Sequence, residues 1–413
     1  MASFKIAFPP LCHTGWGSLE HLVPEAKRLR GSRVLVVADP FLARIGLTDR
    51  VTVPLKDAGF HVELYTDVVP EPPLESGEKL VSFARGGGFD LIVGLGGGSA
   101  LDLAKLAAVL AAHGGKAADY LNLTGTRTIE KRGLPKILIP TTSGTGSEVT
   151  DISVLALETT KDVVTHPALV ADVAIVDPEL TVTVPPRVTA ATGIDALTHA
   201  VEAYVSVNAS PVSDALALHA VRLIAGSLET AVRDGSNRQA REHMSYGSYL
   251  AGLAFSNAGV AGVHALAYPL GGRYHMSHGE SNAVLLPYVM GYIRGSCRER
   301  LADLLRALGG EGGRGGSIGF DGSGTQGSNS SRGSAEDVEL ASRACIARLT
   351  ELVRNVGIPA TLGQYSVPES ALDILTQDAV QQKRLLARSP LPLGESDIRR
   401  IYEAAFKGEI VEP

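Results

Sequence analysis

The segment Asp90-Leu-Ile-Val-Gly-Leu-Gly-Gly-Gly-Ser-Ala-Leu-Asp-Leu-Ala-Lys105 runs from an apolar stretch, through consecutive glycines, into a helical pattern. Asp90–Gly94 lacks polar alternation, which predicts a strand buried on both faces. The spacing from Ala100 to Ala112 predicts a helix. Glycines at the joint let a ligand approach the backbone closely, and the free N–H groups that open a helix attract anions. Ser99 is placed to cap that helix, with Asp102 three positions on as its capping-box partner. Strand, glycine turn and helix in this order make one unit of an open α/β sheet.

The alternation extends to both sides. Arg33–Ala38, His61–Thr66, Lys136–Pro140 and Val173–Val176 are expected strands, and Leu42–Ala58 and Glu75–Arg85 expected helices. Short connections imply parallel pairing with right-handed crossovers. Pro185-Pro186 reads as a breaker, after which Ala190–Val205, Ser213–Val232, Arg238–Ala261, Ser334–Val356 and Ser396–Phe406 carry helical patterns. The expected organisation is an α/β domain over residues 1–185 and an all-α domain over 186–413. Residues 309–333 are too rich in glycine and serine to bury a core and read as a flexible insertion.

The composition narrows the function. Of 413 residues 45% are hydrophobic and 20% charged, too apolar for disorder. The 38 Lys and Arg against 44 Asp and Glu leave a net charge of −6, without the basic excess of a nucleic-acid binder. The most apolar stretch, Leu91–Ala112, is broken by Asp102, Lys105 and glycines, which argues against a membrane span. The N-terminus lacks the apolar core of a signal peptide. Cys12, Cys297 and Cys345 are far apart, so neither a disulfide framework nor a cysteine-rich zinc site is expected, and a reducing cytoplasm is the expected location.

A second loop, Thr141-Thr-Ser-Gly-Thr-Gly-Ser147, follows the expected strand ending at Pro140 and is dense in hydroxyl donors. Ligands of open α/β sheets gather at that edge. Two such loops point to a phosphate-bearing ligand, although neither matches G-x-G-x-x-G or the P-loop of nucleotide hydrolases. Asp39 ends the first strand, where a carboxylate would accept hydrogen bonds from a ribose and repel a 2′-phosphate, favouring NAD over NADP.

Asp195 and His199 stand four apart in a helical pattern and share one face. Further on, His264, His275 and His278 place three of the eleven histidines close together. One carboxylate with three imidazoles suits Fe(II), Zn(II), Co(II), Mn(II) or Ni(II), and suits Mg(II) and Ca(II) poorly.

Taken together, GGGSALDLAK, PTTSGTGSEVT, HPALVADVAIVDPEL, GIDALTHAVEAY and GVHALAYPLGGRYHMSHGESNAVLLPYV closely resemble the iron-containing (group III) alcohol dehydrogenases. The resemblance implies a parallel dinucleotide-binding sheet and an all-α metal and substrate domain, the dehydroquinate synthase-like fold. It assigns the metal to Asp195, His199, His264 and His278, with Fe(II) as the ion and Zn(II) as the alternative. It assigns NAD(H) to Gly97, Gly98, Ser99, Thr141, Thr142 and Lys161, in keeping with Asp39, and the two phosphate-suited segments add Asp102 and Ser147. In several relatives a histidine four residues after the third ligand serves in proton relay; here that position is Tyr268, and His275 is the candidate substitute. The implied activity is hydride transfer between nicotinamide and a small alcohol or aldehyde, in a homodimer or larger homo-oligomer. Maleylacetate reductase-like and hydroxyacid–oxoacid transhydrogenase-like enzymes are the neighbouring readings. A metal-dependent phosphoester hydrolase is the remote one.

Overall fold

Alternate side chains of the apolar strands enter two separate cores. Leu35, Val37, Ile92 and Leu138 pack on one face of a sheet, and Val34, Val36, Val93, Ile137 and Ile139 on the other. Fully burying one such side chain contributes roughly 1.5–3 kcal/mol, so burial on both faces holds the strands central. The protein is described by a computed structural model over residues 3–309 and 334–413. The expected insertion, apart from Gly309, lies outside the described residues.

The strands are β1 (Cys12–Thr14), β2 (Arg33–Ala38), β3 (His61–Tyr65), β4 (Leu91–Gly96), β5 (Lys136–Pro140), β6 (Ile152–Ala156), β7 (Lys161–Thr165) and β8 (Val173–Val176). Six of them form one parallel sheet in the order β1-β8-β5-β4-β2-β3. Val36 pairs with Val93, and Val93 with Ile137. From β2 the chain moves outward to β3 and then returns to the other side of β2 as β4. This reversal puts a crevice at the carboxyl ends of β2 and β4, where Asp39 and the glycines lie.

Several local expectations are corrected. The single helix Leu42–Ala58 is two, Pro40–Arg44 and Asp49–Asp57, parted at Gly46, whose φ of 75° no helix accommodates. Pro185 and Pro186 do not break structure; they open the helix Pro186–Val205, because a proline at the first helical position has no N–H to leave unpaired. The helix after β4 begins at Gly98 with Gly97 as its N-cap, so Ser99 is not the cap. Asp102 makes no capping box: it accepts from the Ser147 hydroxyl and the Val154 amide, and Lys105 lies 3.0 Å away. β1 and the antiparallel hairpin β6–β7 were not anticipated.

From Pro186 onward the described residues form helices and no strand. Pro186–Val205, Pro211–Arg233, Arg238–Ala258, Gly262–Tyr274 and His278–Ile293 contribute to a third and largest core. Pro211–Arg233 is long and apolar enough to cross a membrane, by length and composition alone. Its Ala217, Ala220, Val221, Ile224 and Leu228 are instead buried in this core.

Glu148, in the turn after the second loop, is 2% exposed. Burial raises its carboxyl to about 7, against the pull of a backbone N–H and Lys105. The folded value lies above the ordinary 4.5. The stability it carries is therefore complete below that ordinary value and is lost as pH rises through the folded one. Wild-type protein should lose about 2.5 kcal/mol between pH 5 and pH 8.5 from this group. Melting curves of Glu148→Gln should be correspondingly flatter over that range, and an equal slope would exclude the assignment.

Candidate metal centre

Helix periodicity builds the centre. Asp195, His199 and Glu202 lie at i, i+4 and i+7 on one face of Pro186–Val205. His264 and Tyr268 stand one turn apart on Gly262–Tyr274, and His278 and Asn282 one turn apart on His278–Ile293. One ligand atom from each of Asp195, His199, His264 and His278 lies within 4.8 Å of all the others. The Asp195 Oδ1 is 4.0 Å from Nε2 of His199, 4.0 Å from that of His264 and 3.7 Å from that of His278.

Partners behind the imidazoles set their tautomers. Glu202 Oε2 lies 2.6 Å from His264 Nδ1 while its other oxygen accepts from the Val263 amide at 2.7 Å. With the proton on Nδ1, the lone pair of His264 is on Nε2, facing Asp195. The Gly144 carbonyl lies 3.3 Å from His199 Nδ1 and does the same for that ring. Phe255 stacks on His199 at 4.3 Å and fixes its plane. Burial lowers His199 to about 4 and His278 to about 3, more than Asp195 raises them, so both rings are neutral at pH 7. Asp195 is held below the ordinary carboxylate range: burial opposes this, but the three imidazoles and the Asn282 amide outweigh it.

The donor set fits a divalent transition metal: three imidazole nitrogens and an ionised carboxylate, converging and oriented from behind. The Asn282 Nδ2 contacts Asp195 Oδ1, His264 Nε2 and His278 Nε2 at 2.7, 3.1 and 3.2 Å, the same atoms an ion would meet. The Asn282 Oδ1 is buried without a hydrogen-bond partner among the described residues.

The quartet lines a cavity of about 460 Å³ that also reaches Gly98, Ser99, Asp102, Ser147 and Lys161. The glycines form a cradle. Gly96 has a φ of 150°, and a Cβ on Gly98 would come within 2.8 Å of Thr145. Gly97 faces Thr142, and the Thr141 amide bonds the Gly96 carbonyl. Ser99 Oγ accepts from the Glu71 amide. Asp39 Oδ1 caps the short helix after β2 through the Phe41 and Leu42 amides, while Oδ2 is turned toward Gly96. Lys161 pairs with Glu71 and lies 5.9 Å from the centre of the Tyr268 ring.

Tyr268 is buried on the cavity wall, 6.1 Å from the His278 ring. Burial raises its pKa, so its hydroxyl keeps its proton at neutral pH. His275 is not brought to the cavity: it is exposed, in a left-handed conformation at the end of its helix, and does not line the wall. Glu202, Asn282, Phe255 and Glu71 were missed from sequence. Helical spacing from Asp195, His199 and His278 was the available signal for the first two.

Known proteins match both halves of the chain. The family profile described as iron-containing alcohol dehydrogenase matches residues 9–178, and that of the Fe-containing alcohol dehydrogenase family, C-terminal, matches residues 189–406. Long-chain-alcohol dehydrogenase 1 of Geobacillus thermodenitrificans (strain NG80-2) is 69% identical over 413 residues, covering 100% of this chain and 99% of the relative. NAD-dependent methanol dehydrogenase of Bacillus methanolicus is 35% identical, covering 92% and 94%. A crystal structure of 1,3-propanediol oxidoreductase superposes with a TM-score of 0.87 at 35% identity, covering 98% of this chain and 100% of that one. With both halves matched and the donor quartet assembled, the chain belongs to the iron-containing alcohol dehydrogenase family.

Proposed function

We propose that the protein is a metal-dependent, NAD(H)-linked dehydrogenase that interconverts a small alcohol and its aldehyde. Asp195, His199, His264 and His278 hold the ion, Fe(II) or alternatively Zn(II). The observation that carries this reading is the convergence of four donor atoms within 4.8 Å on a cavity that also opens on the glycine cradle. When bound, the ion supplies Lewis acidity toward the substrate oxygen and the dinucleotide supplies the hydride carrier.

The chain's own residues do the rest. Gly97, Gly98 and the uncapped amides behind them receive the pyrophosphate, aided by Thr141 and Thr142. Ser99 and Lys161 line the path from there to the metal, and Asp102 with Ser147 braces the loop around it. Phe255 and Tyr268 shield the centre from water, and Tyr268 holds a proton at its Oη for the substrate oxygen. The three cysteines are free, in keeping with a reducing cytoplasm. The assembly that goes with this reading is a homodimer or larger homo-oligomer.

Anaerobic purification with elemental analysis, followed by NADH oxidation across an aldehyde series, tests the proposal. Bound iron or zinc with metal-dependent turnover is expected; full activity of metal-free protein would refute it. The Asp39 carboxylate also yields a prediction. Because Asp39 caps a helix, serine is the informative replacement: it keeps a capping oxygen and removes the charge. The kcat/KM preference of Asp39→Ser for NADH over NADPH should fall by roughly tenfold or more, equivalent to about 1.4 kcal/mol. An unchanged ratio would exclude the ribose role.

A further inference from the structure

The charged side chains on the cavity wall sort into pairs with a remainder. Lys161 pairs with Glu71, Arg187 with Glu280 and Asp102 with Lys105. Asp195 is enclosed by imidazoles. Left over are Asp151, Arg384 and Arg388. Among the described residues neither arginine has a carboxylate within 4.0 Å or a side-chain hydrogen bond. The two are one helical turn apart, on and just beyond the helix Lys383–Leu386.

Arg388 reaches the wall across Gly259. A Cβ there would meet Arg388 Cδ, Nε and Nη1 at 2.5 Å each, and the φ of 81° already demands glycine. Phe255, Val260 and Tyr268 border the same region with apolar surface. Burial, and then the neighbouring charge of Arg384, lower the Arg388 pKa. Asp151 and Glu202 act on Arg388 only from beyond ion-pair contact, and planar guanidinium donors of this kind match a carboxylate or sulfonate.

We propose that Arg384 and Arg388 form an anion subsite for the far end of the substrate, so that the enzyme's alcohol or aldehyde carries a terminal carboxylate or sulfonate. This rests on the dehydrogenase reading above and names the substrate class for that site. The carbinol end faces the quartet, and the anionic end takes the guanidinium donors. Asp151 reduces the surplus from two positive charges to one, which suits a monoanion.

The test compares NADH oxidation by the metal-loaded enzyme with 4-oxobutanoate and sulfoacetaldehyde against the neutral butanal and propanal. The kcat/KM ratio of anionic to neutral substrate should exceed about tenfold, as charge-assisted hydrogen bonds imply. It should collapse in Arg384→Gln and Arg388→Gln and survive in part in Arg388→Lys. If the Arg388 variants fail to fold, Arg384→Gln still reads the subsite. A wild-type ratio near one, or a ratio the variants leave intact, would overturn the proposal. Weakened NADH binding in the variants with an intact ratio would give the arginines to the cofactor, and would overturn it too. Calorimetry of 4-hydroxybutanoate against 1-butanol reads the subsite without turnover, and the anion should bind at least tenfold more tightly. Absence of all aldehyde reduction would count against the dehydrogenase reading, whereas loss of the calorimetric preference alone would count against the subsite.

Discussion

Alanine at His278 is expected to reduce bound metal to background and to lower kcat/KM by roughly 10³-fold or more, since several kcal/mol of charge stabilisation goes with the ion. NADH binding should persist, because the glycine cradle belongs to other elements. His278 is the cleaner of the two late ligands to remove. Its amide bond to Glu71 survives the change, and nothing buried is left without a partner. Alanine at His264 should cost as much metal and more stability, because Glu202 would lose its imidazole while fully buried. Leaving one buried oxygen without its hydrogen-bond partner costs about 1–3 kcal/mol. Elemental analysis beside melting curves separates the two variants. Metal retention by both would remove the quartet from the mechanism.

Glu202→Gln is expected to weaken metal binding by roughly 10–100-fold. The carboxylate takes His264 Nδ1 with one oxygen and the Val263 amide with the other. Glutamine has one acceptor oxygen, so one of these N–H groups would face its amide nitrogen. Either outcome disturbs the site: His264 turns or changes tautomer, or a buried backbone N–H goes unpaired at about 1–3 kcal/mol. Chelator competition measures the effect, and an unaltered affinity would show that the carboxylate does not orient the ring.

The parts of this molecule legible in its sequence are those with one strong physical cause. β2, β4, β5 and β8 announce themselves because burial on both faces leaves no polar alternation, the charged Arg33 and Lys136 standing only at the first positions of β2 and β5. The Asp195–His199 pair is legible from helical spacing, and the family resemblance named the two distant histidines. What escaped depends on contacts between segments far apart in the chain. Ser99 has the chemistry of a cap, yet the helix starts two residues earlier than that cap would set it, at Gly98 with Gly97 as the N-cap. Asp102 was read locally, but its partners are Ser147 and Val154. Arg384 and Arg388 look like ordinary surface charges until the cavity is assembled around them.

The hairpin β6–β7 joins two bodies of the molecule. At its base Ser153 and Val154 bond Asp102 of the helix after β4. At its tip Gln382 donates to Thr160, and Gly272 packs so closely on Thr159 that a Cβ would lie 2.5 Å from its backbone carbon. A ribbon stitched at both ends makes the mouth of the cleft a seam. Any breathing that parts the sheet from the helices must unpick those stitches and drag Lys161 off Glu71, so traffic of small molecules is coupled to the least conspicuous strands in the chain.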